Sequence, residues 1–170
     1  MSFKKSAVIG ATLLASIFAS SAVHAATTTS KFDVTLTVLP KCVITNSSIA
    51  DINLGTVDTG ATNLIGNTTF TMQCTKKTAY SISLTPGAVG AGANNTGTLK
   101  GAADATQTVA YGLFSDAAAV VPWGKTSFVT GTSSATSSAG VDFKVYAKVA
   151  SVPDVPQDKY TDNVTITVTY

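Results

Sequence analysis

From Ala26 onward, apolar and polar side chains alternate with a period of two over short runs, and Gly, Asn and Pro interrupt these runs at short intervals. Such alternation puts one face of a strand into a core, and the abundant Val, Ile and Thr suit a half-buried pleat. No window of about 11 residues carries the 3.6-residue apolar period of an amphipathic helix. The pattern predicts strands over residues 32–39, 42–45, 52–57, 68–74, 79–85, 109–114, 141–150 and 163–170. An all-β sandwich follows. Residues 86–97 and 131–140 are built of small and polar residues and read as exposed loops, while Pro153 and Pro156 bracket an acidic turn before the last strand.

The N-terminus breaks the pattern. Lys4 and Lys5 precede an apolar run over residues 7–19, and Val23 and Ala25 then stand at the small-residue positions of a cleavage site. The run is shorter than the roughly 20 residues a membrane span needs, so residues 1–25 read as a secretory signal peptide and the mature chain as one that is not an integral membrane protein. Export gives the two cysteines meaning. An oxidising compartment favours a disulfide, and Cys42 with Cys74 is the one intramolecular pairing available. A bond closing that loop is worth about 3–4 kcal/mol. A redox pair, which usually shows C-x-x-C spacing, or an intermolecular bridge is the alternative.

Charge narrows the function. Every cation is Lys and every acid Asp, and removal of Lys4 and Lys5 leaves nine of each, a neutral mature chain. Without guanidinium forks or net positive charge, nucleic acid is not an expected partner. The one histidine, His24, lies in the segment read as removed, which excludes imidazole as base or metal ligand. A Ser-Lys arrangement is the one nucleophile chemistry the residue types leave, but no catalytic or cofactor-binding residue is singled out, and the chain reads as a non-enzyme.

Three motifs dissolve on inspection. Residues 119–126, A-V-V-P-W-G-K-T, match a relaxed phosphate-binding loop, but Pro122 has no N–H to offer and Trp123 is bulky; a turn seating an indole fits better. Gly87, Gly90, Gly92 and Gly97 lack the order and the β-α-β setting of a dinucleotide loop. Asp51, Asp58 and Asp104, or Asp154, Asp158 and Asp162, follow no calcium-loop spacing, so no metal site is expected. Sequons at Asn46, Asn67, Asn94 and Asn163 are uninformative in a chain this rich in Asn and Thr.

What stands out is the segment before Cys42. Phe32, Val34, Leu36 and Val38 alternate with Asp33, Thr35 and Thr37, giving one strand face of four apolar side chains. It is either the first strand of its own domain or a strand for another chain.

Here the sequence resembles a known family. The pieces are this arm ending at Cys42, I-N-L-G-T-V at 52–57, F-T-M-Q-C at 70–74, Y-G-L-F-S-D at 111–116, W-G at 123–124, and K-Y-T-D-N-V-T-I-T-V-T-Y at 159–170. In this order they resemble the spore coat protein U family, the subunits of archaic chaperone–usher pili. Gln157 and Asp158 stand where the family often has a glycine turn. The resemblance implies an incomplete immunoglobulin-like sandwich over residues 41–170, preceded by a donor arm at 26–40 and completed by donor-strand exchange. It also implies a periplasmic chaperone, an outer-membrane usher, a tip adhesin subunit and further copies of the chain as partners, and a route through the periplasm to the cell surface. Phe32, Val34, Leu36 and Val38 would then fill a neighbour's groove. Val164, Ile166, Val168 and Tyr170 would form the edge the chaperone pairs with. The expected role is the major subunit of a pilus supporting adhesion and biofilm formation. The rivals are a spore-coat or other surface protein built by the same logic, and a secreted carbohydrate-binding sandwich using Tyr80, Tyr111, Trp123, Tyr146 and Tyr160.

Overall fold

A computed structural model describes residues 25–88, 95–134 and 140–170. The expected signal peptide, Ala25 apart, lies outside the described residues, as do the centres of the two expected loops. By contacts the chain forms two units, Met1–Leu36 and Thr37–Tyr170. In the first, residues 25–36 are exposed and form no strand.

The second unit is an antiparallel β-sandwich of two sheets. Its strands are β1 (Cys42–Ile44), β2 (Thr62–Cys74), β3 (Ala79–Pro86), β4 (Thr96–Gly101), β5 (Thr108–Phe114), β6 (Val129–Thr132), β7 (Val141–Ser151), β8 (Tyr160–Thr161) and β9 (Val164–Thr169). One sheet runs β1-β2-β7-β5-β4-β8 and the other β6-β3-β9. Alternate residues fill the space between them: Phe70 and Met72 from β2, Ile82 and Leu84 from β3, Val109, Tyr111 and Leu113 from β5, and Val145, Ala147 and Val149 from β7. Trp123 closes this core from the β5–β6 connection, its indole N–H donating to the Ile82 carbonyl at 2.8 Å.

Two expected strands are absent. Residues 32–39 join no ladder among the described residues, so they form no strand. Residues 52–57 keep Ile52 and Leu54 half-buried against the core, but Gly55 turns the chain at φ 94° and donates its N–H to the Asn53 side chain at 2.8 Å, which ends any ladder. The segment packs so close to β2 that a Cβ on Gly66 would lie 2.7 Å from Ile52.

Three strands were not expected, and all three contain a glycine–tyrosine cross-strand pair. Gly97 of β4 faces Tyr111, Gly131 of β6 faces Tyr80, and Gly101 of β4 faces Tyr160 of β8. A Cβ on Gly97 or Gly131 would lie within about 2.5 Å of the tyrosine opposite. The rings therefore lie over bare backbone, restoring the packing that glycine removes. The loop expected over 86–97 is accordingly shorter, with Pro86 and Asn95 buried and Thr96 and Gly97 in β4.

A disulfide joins Cys42 to Cys74, direct cross-strand partners at the end of the β1–β2 ladder. It holds β1, a three-residue strand, to the sheet. Replacing Cys42 with Ser is expected to lower stability by about 2–5 kcal/mol. Urea denaturation of the oxidised protein and the variant measures it, and equal midpoints would contradict it.

Candidate functional site

The site is an incomplete sheet edge. In β9, Val164, Ile166 and Val168 share one face, and Ile166 and Val168 pack against the core. Yet no residue of β9 is fully buried; Val164 is 37% exposed and Tyr170, just past the strand, 55%. Equivalent apolar rows in β3, β5 and β7 are shut away. The difference follows from position: β9 pairs with β3 on one side and is the outer strand of its sheet.

The main chain of β9 is half used in the same way. Antiparallel partners alternate between pairs that exchange both N–H···O=C bonds and pairs that exchange none. Gly87 N–H donates to the Asn163 carbonyl at 2.6 Å, and this pair continues the register in which Thr85, Ser83 and Ser81 face Thr165, Thr167 and Thr169. Leu84, opposite Ile166, sends its N–H to the Gly124 carbonyl instead. The threonines of β9 therefore bond to β3, and the N–H and C=O groups of Val164, Ile166 and Val168 point off the edge. One row of residues presents both half-covered apolar side chains and unpaired main-chain groups, the two things an added strand satisfies.

The start of β9 is fixed from two directions. Asp162 accepts the Tyr111 hydroxyl at 2.7 Å and the Ala88 N–H at 2.9 Å, tying the strand's entry to β5 and to the end of β3. Burial, and after it the Asp162 carboxylate, push Tyr111 far above the usual tyrosine range, so it remains a donor. Alternation along the chain does not reveal this pair; its one signal in the sequence is the polar tip of Tyr111, a residue on the buried register of β5.

Nearby, N–H groups, that of Ala103 foremost, hold Asp158 below the ordinary carboxylate range, and the Thr106 hydroxyl does most to lower Asp104. Both folded-state values are depressed, so the stability they bring is present above the unfolded carboxylate pKa and is lost as pH falls through the lowered values. Thermal unfolding is expected to drop in this acid range and to drop less in Asp158→Asn; parallel acid profiles would contradict this.

The segment before Cys42 is exposed. Phe32, Val34, Leu36 and Val38 are 87%, 88%, 87% and 69% exposed, a row of large apolar groups that water disfavours. From Leu39 onward the chain is anchored: Thr75 donates its hydroxyl to the Leu39 carbonyl and its N–H to the Lys41 carbonyl.

The other expected sites find different roles. Trp123 and Tyr111 are buried, Tyr80 stacks edge-on to Phe143, Tyr146 is half-buried in β7, and Tyr160 donates its hydroxyl to the Pro156 carbonyl. In the loop-like match at 119–126, the N–H groups of Trp123 and Gly124 are spent on Leu113 and Ser127. The described residues hold no group of three Asp, His or Cys placed to bind a metal, and no helix long and apolar enough to cross a membrane.

The family model of the Spore Coat Protein U domain matches residues 28–167. The chain belongs to this family. Protein U of Myxococcus xanthus is 31% identical over 176 residues, spanning 98% of each sequence. Among solved structures, the chaperone–tip adhesion subunit complex CsuC–CsuE of Acinetobacter baumannii aligns with a TM-score of 0.48 at 21% identity, over 79% of this chain and 40% of that one. A chaperone–tip adhesin complex of CFA/I fimbriae aligns at 0.47 and 19%, over 76% and 42%. The chain thus spans about two fifths of the length of those two chains.

Proposed function

We propose that this Spore Coat Protein U domain protein is a structural, non-enzymatic subunit of a chaperone–usher surface pilus, the shaft-forming one, assembled by donor-strand exchange. The observation that carries the reading is the match between the open edge of β9 and the arm. Both have four apolar side chains at every second residue, and seven arm residues, about 23 Å when extended, equal the reach of residues 164–170. Laid antiparallel, Val38 comes beside Val164, Leu36 beside Ile166, Val34 beside Val168 and Phe32 beside Tyr170. Each copy would lend its arm to the next, a head-to-tail contact that does not close and so builds a filament. The same edge of Val164, Ile166, Val168 and Tyr170 would first be covered by a periplasmic chaperone, which keeps exposed edges from pairing at random before the usher admits the subunit behind a tip adhesin. A coat-like surface layer built by the same exchange is the second reading, favoured by the match to the Spore Coat Protein U domain. Electron microscopy of cells with and without the protein tests the assignment. Surface fibres that vanish without it are expected; fibres unchanged in its absence would remove the shaft role, and a layer in place of fibres would select the second reading.

A further inference from the structure

The two ends of the sandwich carry opposite charge. Strand β7 runs from Val141, facing Met72, to Ser151, facing Thr62, and so marks the two ends. At the Met72 end, Lys41, Lys76 and Lys77 are exposed and gathered around the end of β2. Thr75 N–H donates to the Lys41 carbonyl at 2.8 Å, and Lys77 N–H donates to the Ser133 carbonyl at 3.1 Å. Asp142, which accepts the Thr71 hydroxyl, and Asp116, beyond the Phe114 end of β5, are acids on that side. At the Thr62 end the turns carry Asp58, Asp104, Asp154, Asp158 and Asp162, accompanied by Lys100 and Lys159. Gly60 N–H donates to the Val152 carbonyl, placing the Asp58 turn beside the segment that leads to Asp154, while Asp158 caps Ala103 next to Asp104.

We propose that these ends meet between consecutive copies: the lysine end of the subunit that donates its arm docks on the aspartate end of the subunit that receives it. This rests on the donor-strand reading above. The arm leaves its own sandwich at the lysine end, through Leu39 and Lys41. Laid antiparallel to β9, it leaves the receiving groove at the start of that strand, where Asp162 lies, with Lys41 three residues beyond the Val38–Val164 pair. Lys76 and Lys77, tied to Lys41 through Thr75, then face the turns of Asp58, Asp154 and Asp158. Laid parallel, the arm would bring the same three lysines against the receiver's own Lys41, Lys76 and Lys77. Opposite charge thus favours one direction of entry and like charge opposes the other, which is how charge at an interface usually sets orientation and encounter rate.

The test is assembly of the full-length exported chain, followed by light scattering. Two paired variants are compared, Lys76→Asp with Lys77→Asp, and Asp58→Lys with Asp154→Lys, sparing Asp158 and Asp162, whose carboxylates hold loop N–H groups. At about 20 mM salt each pair is expected to slow assembly roughly tenfold, and the difference should fade near 1 M salt, where charges are screened within about 3 Å. The variant carrying all four changes should return to within about threefold of the wild-type rate. Pairs that assemble at the wild-type rate, or a four-change variant slower than either pair, would overturn end-to-end docking. Leu36→Asp in the same assay separates the two levels. If it stalls while the charge pairs have no effect, docking alone fails; if it assembles normally, the donor-strand reading fails and docking with it.

Discussion

Leu36→Asp is expected to abolish assembly while leaving the subunit folded. Leu36 is 87% exposed in the single chain, so its replacement removes no contact that the sandwich depends on. In a neighbour's groove it would pack beside Ile166, and the four arm side chains together would contribute about 6–12 kcal/mol of gross apolar burial at 1.5–3 kcal/mol each. An aspartate there loses its share of that burial and puts an unpaired carboxylate in an apolar site, a penalty of several kcal/mol. Thr35→Asp changes the opposite face of the arm and should be tolerated. Detergent-resistant multimers, counted alongside recovery of the chaperone complex, measure the outcome. Loss of multimers with normal complex recovery is expected for Leu36→Asp; multimers of normal length would refute the arm's role, and loss of the folded subunit would make the arm an ordinary first strand.

Trp123→Ala is expected to have the opposite signature, loss of the folded subunit itself. Trp123 is 1% exposed, its ring lies 6.1 Å from that of Phe70 and 6.4 Å from that of Phe143, and its N–H groups bond to Ile82 in one sheet and Leu113 in the other. Truncation costs about 3–5 kcal/mol for the cavity, and the orphaned Ile82 carbonyl adds about 1–3 kcal/mol. That is comparable to the whole stability of a typical domain, about 5–15 kcal/mol. Trp123→Phe, which keeps most of the volume, should retain folded protein. Circular dichroism and soluble yield decide it, and a Trp123→Ala protein that unfolds at the wild-type temperature would show that the indole does not hold the sheets together.

These two residues also mark what was legible in the sequence. Strict alternation revealed β3, β5, β7 and β9, because each has one face in the core and uses β-branched or aromatic residues to fill it. It failed where glycine carries the strand. In β4 and β6, T-G-T-L-K-G and V-T-G-T look like loop, and their pairing is visible only once Tyr111 and Tyr80 are laid across the glycines. Alternation also extended a strand through residues 52–57, where the Asn53–Gly55 turn prevails over local pattern. At the candidate site, spacing named the apolar rows of the arm and of β9. It was silent on which main-chain groups of β9 face outward and on the Asp162–Tyr111 bond, since both depend on register between segments far apart in the chain.

That register allows the most direct measurement. Site-resolved amide hydrogen exchange of the assembled protein can be compared with that of a monomer lacking residues 26–38. In the monomer, the amides of Thr165, Thr167 and Thr169 should be slow, because they bond to β3, and those of Val164, Ile166 and Val168 fast. Assembly should slow the second set by at least about tenfold and bring it level with the first. If Val164, Ile166 and Val168 exchange as fast in the polymer as in the monomer, no strand has been added to this edge.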